Sequence, residues 1–127
     1  MLPVSDSVAD LALLIARAAE DRKATDIRVL QVEEVCYLAD YFVIVSGFSV
    51  AQLRAIAKAV EEQVLLACGR RPARREGAAE TGWVLLDYGD VIVHIFLPKQ
   101  REFYNLEMFW NRATQVSLPE APVPVTP

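Results

Sequence analysis

Apolar residues recur at helical spacing in two stretches of the chain. The first follows Ser7-Val8-Ala9-Asp10, which has the form of a capping box, and it predicts a helix that runs to about Arg22. The second follows Ser49, with Gln52 completing another capping box, and it predicts a helix that ends at Gly69. Each helix carries one apolar stripe, so both are predicted to pack against a sheet.

Short runs of β-branched, aromatic and aliphatic residues predict the strands. The runs are residues 27–32, 41–45, 83–86 and 91–96. The second run is apolar throughout, which is typical of a strand covered on both faces. The last two runs flank Asp87-Tyr88-Gly89-Asp90 and predict a hairpin, because Gly89 can take the left-handed conformation that a short loop requires. Residues 71–76 are expected to add a short polar edge strand.

Proline punctuates the rest of the chain. Pro98 marks the break before a third predicted helix, whose apolar stripe is Phe103, Leu106, Trp110 and Ala113. Residues 117–127 are rich in proline and are predicted to be a disordered tail. Residues 1–116 are predicted to form one α/β domain on a mixed sheet of four or five strands. The sheet is mixed because helix two carries the chain across it, while each strand pair stays antiparallel.

Composition and local patterns restrict the class of protein. The chain of 127 residues is 54% hydrophobic, yet no stretch approaches the ~18 apolar residues of a membrane-spanning helix. Its first residues lack the basic and apolar regions of a secretory signal, so a soluble cytoplasmic protein is expected. Cys36 and Cys68 lack the spacing of a metal or redox motif, and both are expected to be small buried hydrophobes.

Two segments carry a family resemblance. In the second half, Trp83 leads a strand, Asp87-Tyr88-Gly89-Asp90-Val91-Ile92-Val93-His94 follows, and residues 101–110 close with an Arg-x-x-Tyr-x-Leu-Glu-x-x-Trp pattern. In the first half, residues 26–32 and 38–49 fall in the order and at the spacing of the same family pattern. About residues 7–113 resemble the ribosomal silencing factors, which are also called Iojap-like proteins.

The resemblance implies a fold similar to the core of nucleotidyltransferases, without their catalytic residues. It also implies a binding protein rather than an enzyme, with no cofactor or metal. Such a protein attaches to the large ribosomal subunit through its basic protein L-fourteen and sterically prevents the small subunit from joining. Translation then falls when nutrients are short. Relatives in this family often pair, so an apolar docking face buried in a homodimer is an alternative state of the free protein.

A docking patch is predicted on the 83–96 hairpin. The formal net charge is −4, which favours basic protein partners over broad phosphate contact. No Lys or Arg lies between residues 76 and 98 to pair locally with the acids of the turn. We therefore expect Trp83 and Leu85 to be apolar anchors, Tyr88 to lie at the loop tip, and Asp87 and Asp90 to face Lys or Arg of the partner. Core packing of Trp83 is the alternative.

Two further features have competing interpretations. Arg70, Arg71, Arg74 and Arg75 crowd one connection, which is predicted to be solvated, with a minor contact to ribosomal RNA as the alternative. His94 is the only histidine and has no Cys or second His nearby, so a structural, hydrogen-bonded role is expected, with a place on the docking surface as the alternative.

The main alternative function is a diverged nucleotide-binding protein or enzyme of the nucleotidyltransferase fold. Ser46-Gly47-Phe48-Ser49 could hold phosphate at the start of a helix. However, the sequence has no Asp-x-Asp pair to hold a divalent metal, and Asp87 and Asp90 are separated across a turn. Fold analogy alone is a weak warrant for catalysis.

Overall fold

The structure, a computed structural model, describes residues 8–33, 38–109 and 113–116, except for the side chain of Phe109. Its helices are α1 (Val8–Asp21), α2 (Val50–Cys68), α3 (Pro98–Tyr104) and α4 (Leu106–Phe109), and a 3₁₀ turn spans Ala79–Thr81. Its strands are β1 (Thr25–Gln31), β2 (Tyr41–Ser46), β3 (Arg74–Ala78), β4 (Trp83–Asp87), β5 (Val91–Phe96) and β6 (Thr114–Val116).

The strands form one mixed sheet in the order β3-β4-β5-β2-β1-β6. The central pair, β2 and β5, is parallel, and the other neighbouring pairs are antiparallel. The predicted crossover by helix α2 is therefore confirmed. The described sheet has six strands, so the predicted number of four or five is wrong. The missed strand is β6, whose three residues pair with β1 and are too few to give an alternating pattern.

Helices α1 and α2 cover one face of the sheet. Val43 and Val45 of β2, with Val93 and Ile95 of β5, point into this layer and are fully buried. Complete burial of a side chain of this kind stabilises the fold by about 1.5–3 kcal/mol relative to exposure. The helices contribute their own buried stripes, which include Leu11, Ile15, Leu53, Ile56 and Val60. This layer is the main core and fixes the position of the central strands.

The ends of α2 have the predicted caps. The Ser49 hydroxyl accepts a hydrogen bond from the backbone N–H of Gln52 at 3.0 Å. The Gln52 side-chain amide donates to the carbonyl oxygens of Arg22 and Lys23, at 3.1 and 3.0 Å. Ser49 therefore caps α2, and Gln52 fastens the start of that helix to the end of α1. At the other end, Gly69 adopts the left-handed conformation with φ of 65°, as its position predicts.

The opposite face of the sheet carries a smaller core. Phe42, Ile44, Ile92 and Phe96 are buried there, with Leu30 and Val32. The register pairs Trp83 of β4 with Phe96 of β5, and Leu85 with His94. Because paired residues point to the same side, Trp83 and Leu85 also belong to this face. Both pack against its buried cluster while staying partly exposed.

The segment after β5 differs from its prediction. Pro98 begins a helix as expected, but Asn105 takes the left-handed conformation with φ of 46° and divides the segment into α3 and α4. Phe103 is 79% exposed, so its predicted place in the apolar stripe is wrong, whereas Leu106 packs against the smaller core. Trp110 lies outside the described residues.

Three further expectations concern the ends and the cysteines. Cys68 is exposed at the last residue of α2, so the prediction that it is buried is wrong. The face of α2 that meets the sheet ends earlier, at Val64, which leaves the final turn in solvent. Cys36, Ser7 and the predicted tail at 117–127 lie outside the described residues.

Candidate functional site

A cavity of about 240 Å³ lies on the second face of the sheet, at the edge formed by β3 and β4. We call it the aromatic cavity, and its lining consists of Glu76, Gly77, Thr81, Trp83, Leu85 and Tyr104. Strands β3 and β4 supply one wall, and Tyr104 at the end of α3 supplies the other. Glu76 is paired with Leu85 and Ala78 with Trp83, so the acidic side chain stands on the same face as the apolar ones.

Trp83 is the centre of a small aromatic cluster. Its ring centroid lies 4.9 Å from that of Phe96 in a stacked arrangement, and 4.5 Å from that of Tyr104. These separations are those at which aromatic pairs contribute beyond simple burial. Trp83 packs against the smaller core and also lines the cavity, so the core-packing interpretation holds in part, and the role of Trp83 as a docking anchor stays a prediction.

His94 is buried beside Trp83 and accepts a hydrogen bond from it. The indole Nε1 donates to His94 Nδ1 at 3.2 Å, so the imidazole proton resides on Nε2. Burial lowers the pKa of His94 from 6.5 to about 4, and the ring is therefore neutral at pH 7. Among the described residues Nε2 has no hydrogen-bond partner. The expected structural, hydrogen-bonded role of His94 is confirmed.

Gly77 allows the two edge strands to approach each other. Its φ is +77°, and a Cβ at this position would lie 2.2 Å from the carbonyl oxygen of Trp83. Any side chain would thus displace β3 from β4 and change the floor of the aromatic cavity.

Asp87 stays on this face but is not unpaired. Arg74 Nη2 lies 3.2 Å from its Oδ2, and the backbone N–H of Gly89 donates to its Oδ1 at 2.7 Å. Arg74 also approaches Glu76, at 3.6 Å. The prediction that Asp87 faces outward without a partner is therefore wrong: the pairing of β3 with β4 places Arg74 directly opposite Asp87.

Asp90 is also held within the chain. Arg70 donates to both of its carboxylate oxygens, at 2.9 and 3.1 Å, and to the Tyr88 carbonyl at 2.6 Å. The hydrogen bond to Asp90 is the main cause that raises the pKa of Arg70. The predictions that Asp90 looks outward and that Arg70 is merely solvated are both wrong. Sequence analysis did not predict this pair because Arg70 and Asp90 lie 20 residues apart in the chain.

Tyr88 is buried rather than exposed at a loop tip. Only 4% of its surface is accessible, and the ring belongs to the main core under α1 and α2. Burial raises its pKa to about 12. The prediction of an exposed contact is wrong because strand alternation turns residue 88 to the face opposite Trp83, Leu85 and Asp87. The structure thus gathers three of the five predicted site residues and separates Tyr88 and Asp90 from them.

Arg101 holds the segment that carries Tyr104, and sequence analysis did not single it out. It is 7% exposed and donates from Nη1 to the Asp26 carbonyl at 2.6 Å and to Ser46 Oγ at 2.9 Å. Its Nε and Nη2 donate to Glu107 at 3.1 and 2.8 Å. Arg101 therefore fastens α3 and α4 to the ends of β1 and β2, and with them Tyr104. The sequence did carry one signal for this residue, because Arg101 is the first residue of the Arg-x-x-Tyr-x-Leu-Glu-x-x-Trp pattern.

The Ser46–Ser49 turn was the predicted element of the nucleotide-binding alternative. Ser46 Oγ accepts from Arg101, and Ser49 Oγ accepts from the backbone of Gln52, so both hydroxyls have internal roles. In the described ranges no three His, Cys, Asp or Glu side chains converge as a metal site. Within the same ranges, no helix has the length and apolar character needed to cross a membrane.

The described residues form a mixed six-stranded sheet. Two helices cover one face, and the aromatic cavity lies at the edge of the other. This arrangement defines an α/β domain with an accessible sheet edge. The chain matches the family described as ribosomal silencing factor during starvation over residues 5–126, and it belongs to that family. The family predicted from the residue pattern is confirmed. The likeness to nucleotidyltransferase cores stays a prediction.

Individual relatives agree with this assignment. Ribosomal silencing factor RsfS of Bacillus subtilis is 40% identical over 105 residues, which cover 83% of this chain and 88% of that protein. The chloroplastic protein Iojap of Zea mays is 44% identical over 111 residues, covering 85% of this chain and 46% of that protein. This chain spans about half the length of the chloroplastic Iojap relatives it matches.

Solved structures share the fold. A crystal structure of a Chromobacterium violaceum protein has a TM-score of 0.78 at 29% identity, and the match covers 93% of this chain and 97% of that one. A crystal structure of a Bacillus halodurans protein has a TM-score of 0.73 at 35% identity, covering 87% and 99%.

Proposed function

We propose that this chain is a ribosomal silencing factor that works by occlusion. It binds the large ribosomal subunit through the basic ribosomal protein L-fourteen and sterically blocks joining of the small subunit, which represses translation under nutrient limitation. Family membership supports the role, as do relatives named ribosomal silencing factor in three bacteria, at 38–40% identity. The mechanism needs no chemical step, so we propose a regulator rather than an enzyme.

The observation that carries the proposal is the aromatic cavity. Interface hot spots are enriched in tryptophan, tyrosine and arginine and lie where a partner can exclude water. Trp83 and Tyr104 meet this description, since both combine a packed side with an accessible one. We place the docking surface on Trp83, Leu85 and Asp87, together with Glu76 and Tyr104, and not on Tyr88 or Asp90.

Charge supports a protein partner over a nucleic acid. The chain carries a net charge of −4, and three of the four arginines of the 70–75 connection already contact acids of this chain. Arg70 pairs with Asp90, Arg74 with Asp87, and Arg75 with Glu61. We therefore propose that ribosomal RNA is a minor contact and that the basic protein L-fourteen provides the main attraction.

Sedimentation tests the proposal directly. The purified protein is mixed with large subunits, with small subunits and with joined ribosomes, and each mixture is separated on a sucrose gradient. We expect co-sedimentation with large subunits and a lower yield of joined ribosomes as the protein concentration rises. Equal binding to small subunits, or normal joining at saturating protein, would contradict occlusion. Added nucleoside triphosphates with Mg²⁺ should give no turnover, and turnover would support the nucleotide-binding alternative instead.

Large-subunit assembly is a second candidate function, because one relative carries that name. The mouse protein named mitochondrial assembly of ribosomal large subunit protein 1 is 35% identical over 104 residues, which cover 45% of its length. The protein would bind the same large subunit, but it would act during assembly of that subunit rather than during subunit joining. Depletion of the protein in its own cells separates the two: loss of assembly leaves incomplete large-subunit particles, whereas loss of silencing leaves complete subunits and excess joined ribosomes.

We further propose that the free protein pairs through the same face. An exposed aromatic patch is a surface that a second copy can cover when the ribosome is absent. Sedimentation equilibrium should then give a dimer mass for the wild-type protein and a monomer mass for Trp83→Ala. A dimer mass for both would place the pairing surface elsewhere.

A further inference from the structure

We propose that the aromatic cavity is a socket for one cationic side chain with an aliphatic stem, a Lys or Arg of the docking partner. The stem lies against the accessible sides of the Trp83 and Tyr104 rings, and the charge reaches the carboxylate of Glu76. This inference rests on the proposed function, because the partner is the basic protein L-fourteen. It adds the chemistry of the group that enters the cavity.

The walls suit such a side chain. Trp83 and Tyr104 stand with ring centroids 4.5 Å apart and planes tilted by 46°, so they form an open corner rather than a closed stack. A cation within about 6 Å of an aromatic face is attracted by the ring quadrupole, and tryptophan is the best of the aromatic rings for this contact. Leu85 provides the apolar floor that the stem of Lys or Arg can cover.

The polar groups of the cavity favour a donor over an acceptor. Two of its side-chain donors are already used, because Trp83 Nε1 donates to His94 and Thr81 Oγ1 donates to the Ala78 carbonyl at 2.7 Å. Among the described residues of the lining, Glu76 is the only charged one. An acceptor would therefore find few free side-chain donors, whereas a cation would find a carboxylate beside the Trp83 and Tyr104 rings.

Glu76 is available to an arriving cation. Its side chain is 56% exposed, and its contact with Arg74 is 3.6 Å, longer than the 3.2 Å contact between Arg74 and Asp87. Arg74 therefore contacts two carboxylates, those of Glu76 and Asp87, and can neutralise only one of them. A net negative charge remains at the rim of the cavity. A second cation would restore the balance, with Arg74 remaining on Asp87.

Binding of purified protein L-fourteen to the Glu76→Gln variant tests the inference, because this change removes the charge and keeps the shape. The control is Glu62→Gln, an exposed acid on α2 that does not line the cavity. We expect Glu76→Gln to weaken binding about three- to fivefold at low salt and to flatten its salt dependence. Glu62→Gln should match the wild type, and thermal unfolding should show that both variants are folded.

The outcomes separate this inference from the proposed function. Failure of the wild-type protein to bind L-fourteen overturns both. Normal wild-type binding that is lost in Trp83→Ala but unchanged in Glu76→Gln overturns the inference alone and indicates an apolar occupant. If Glu76→Gln does weaken binding, acetylation of the lysines of L-fourteen identifies the cation, because it removes the charge of Lys and leaves Arg intact. Weaker binding after acetylation indicates Lys, and unchanged binding with a sensitive Glu76→Gln variant indicates Arg.

Discussion

Trp83 and His94 are joined by one hydrogen bond across the antiparallel pair of β4 and β5, in which the indole Nε1 donates to Nδ1 at 3.2 Å. Trp83 is partly exposed, and His94 is buried beneath it. The residue proposed to meet the partner is thus held by a neutral side chain of the core. We therefore expect a change at Trp83 to affect both partner binding and stability.

Trp83→Ala should weaken binding to the large subunit and lower the free energy of unfolding. We expect binding to the large subunit to weaken by about 2 kcal/mol or more, as for an interface hot spot. The free energy of unfolding should fall by about 2 kcal/mol, less than the ~3–5 kcal/mol of a fully buried aromatic residue. Sedimentation and urea unfolding measure the two effects. Leu66→Ala is the control, since Leu66 is 80% exposed on α2, and it should change neither quantity by much.

The burial of His94 predicts a specific pH dependence of stability. Its pKa is about 4 in the folded protein and 6.5 when exposed, so the unfolded chain binds a proton first as the pH falls. Stability should therefore decrease between pH 6.5 and about pH 4, by about 3 kcal/mol in total, and it should be unaffected by His94 above that window. Urea unfolding of the wild type and of His94→Gln across this range isolates the effect. Parallel curves for the two proteins would show that His94 titrates normally.

The Arg70–Asp90 pair should act on stability rather than on docking. Asp90→Ala should lower the free energy of unfolding by about 1 kcal/mol, because the pair is bidentate but partly exposed. Arg70→Ala should have a similar effect, and the double variant should lose less than the sum of the two. Ribosome binding should stay within twofold of wild type. Slower association with normal stability would instead place Asp90 at the interface.

Tyr88→Phe should leave docking unchanged. The hydroxyl of Tyr88 is buried and has no hydrogen-bond partner among the described residues. Its removal relieves an unsatisfied polar group, so we expect the thermal midpoint to stay the same or to rise slightly. A loss of large-subunit binding in a stable Tyr88→Phe protein would restore the original expectation of a contact at this residue.

Arg101→Met should release the segment of α3 and α4. The change leaves the partly buried Glu107 without its cation, and we expect a loss of about 2 kcal/mol in unfolding free energy, below the ~3–5 kcal/mol of a fully buried pair. Hydrogen exchange should accelerate over residues 98–109 more than over β2 and β5. Lys99→Met, an exposed neighbour on the same helix, is the matched control and should exchange like the wild type.

The sequence alone determined the local elements and the family. Helical periodicity and the Ser49 and Gly69 caps located α2, and the apolar run at 41–45 identified a central strand covered on both faces. The residue order of the hairpin was specific enough to identify the family, which the comparisons confirm. These features could be predicted because each depends on residues close together in the chain.

Only the tertiary structure decided which charges meet and which residues share a face. Asp87 and Asp90 had no basic neighbour in sequence, yet the pairing of β3 with β4 and the end of α2 supply Arg74 and Arg70. Strand alternation moved Tyr88 into the core, and packing brought Tyr104 against Trp83 from 21 positions away in the chain. The physical reason is that ion pairs and cavities form between segments distant in sequence, whose meeting depends on the register and direction of the sheet.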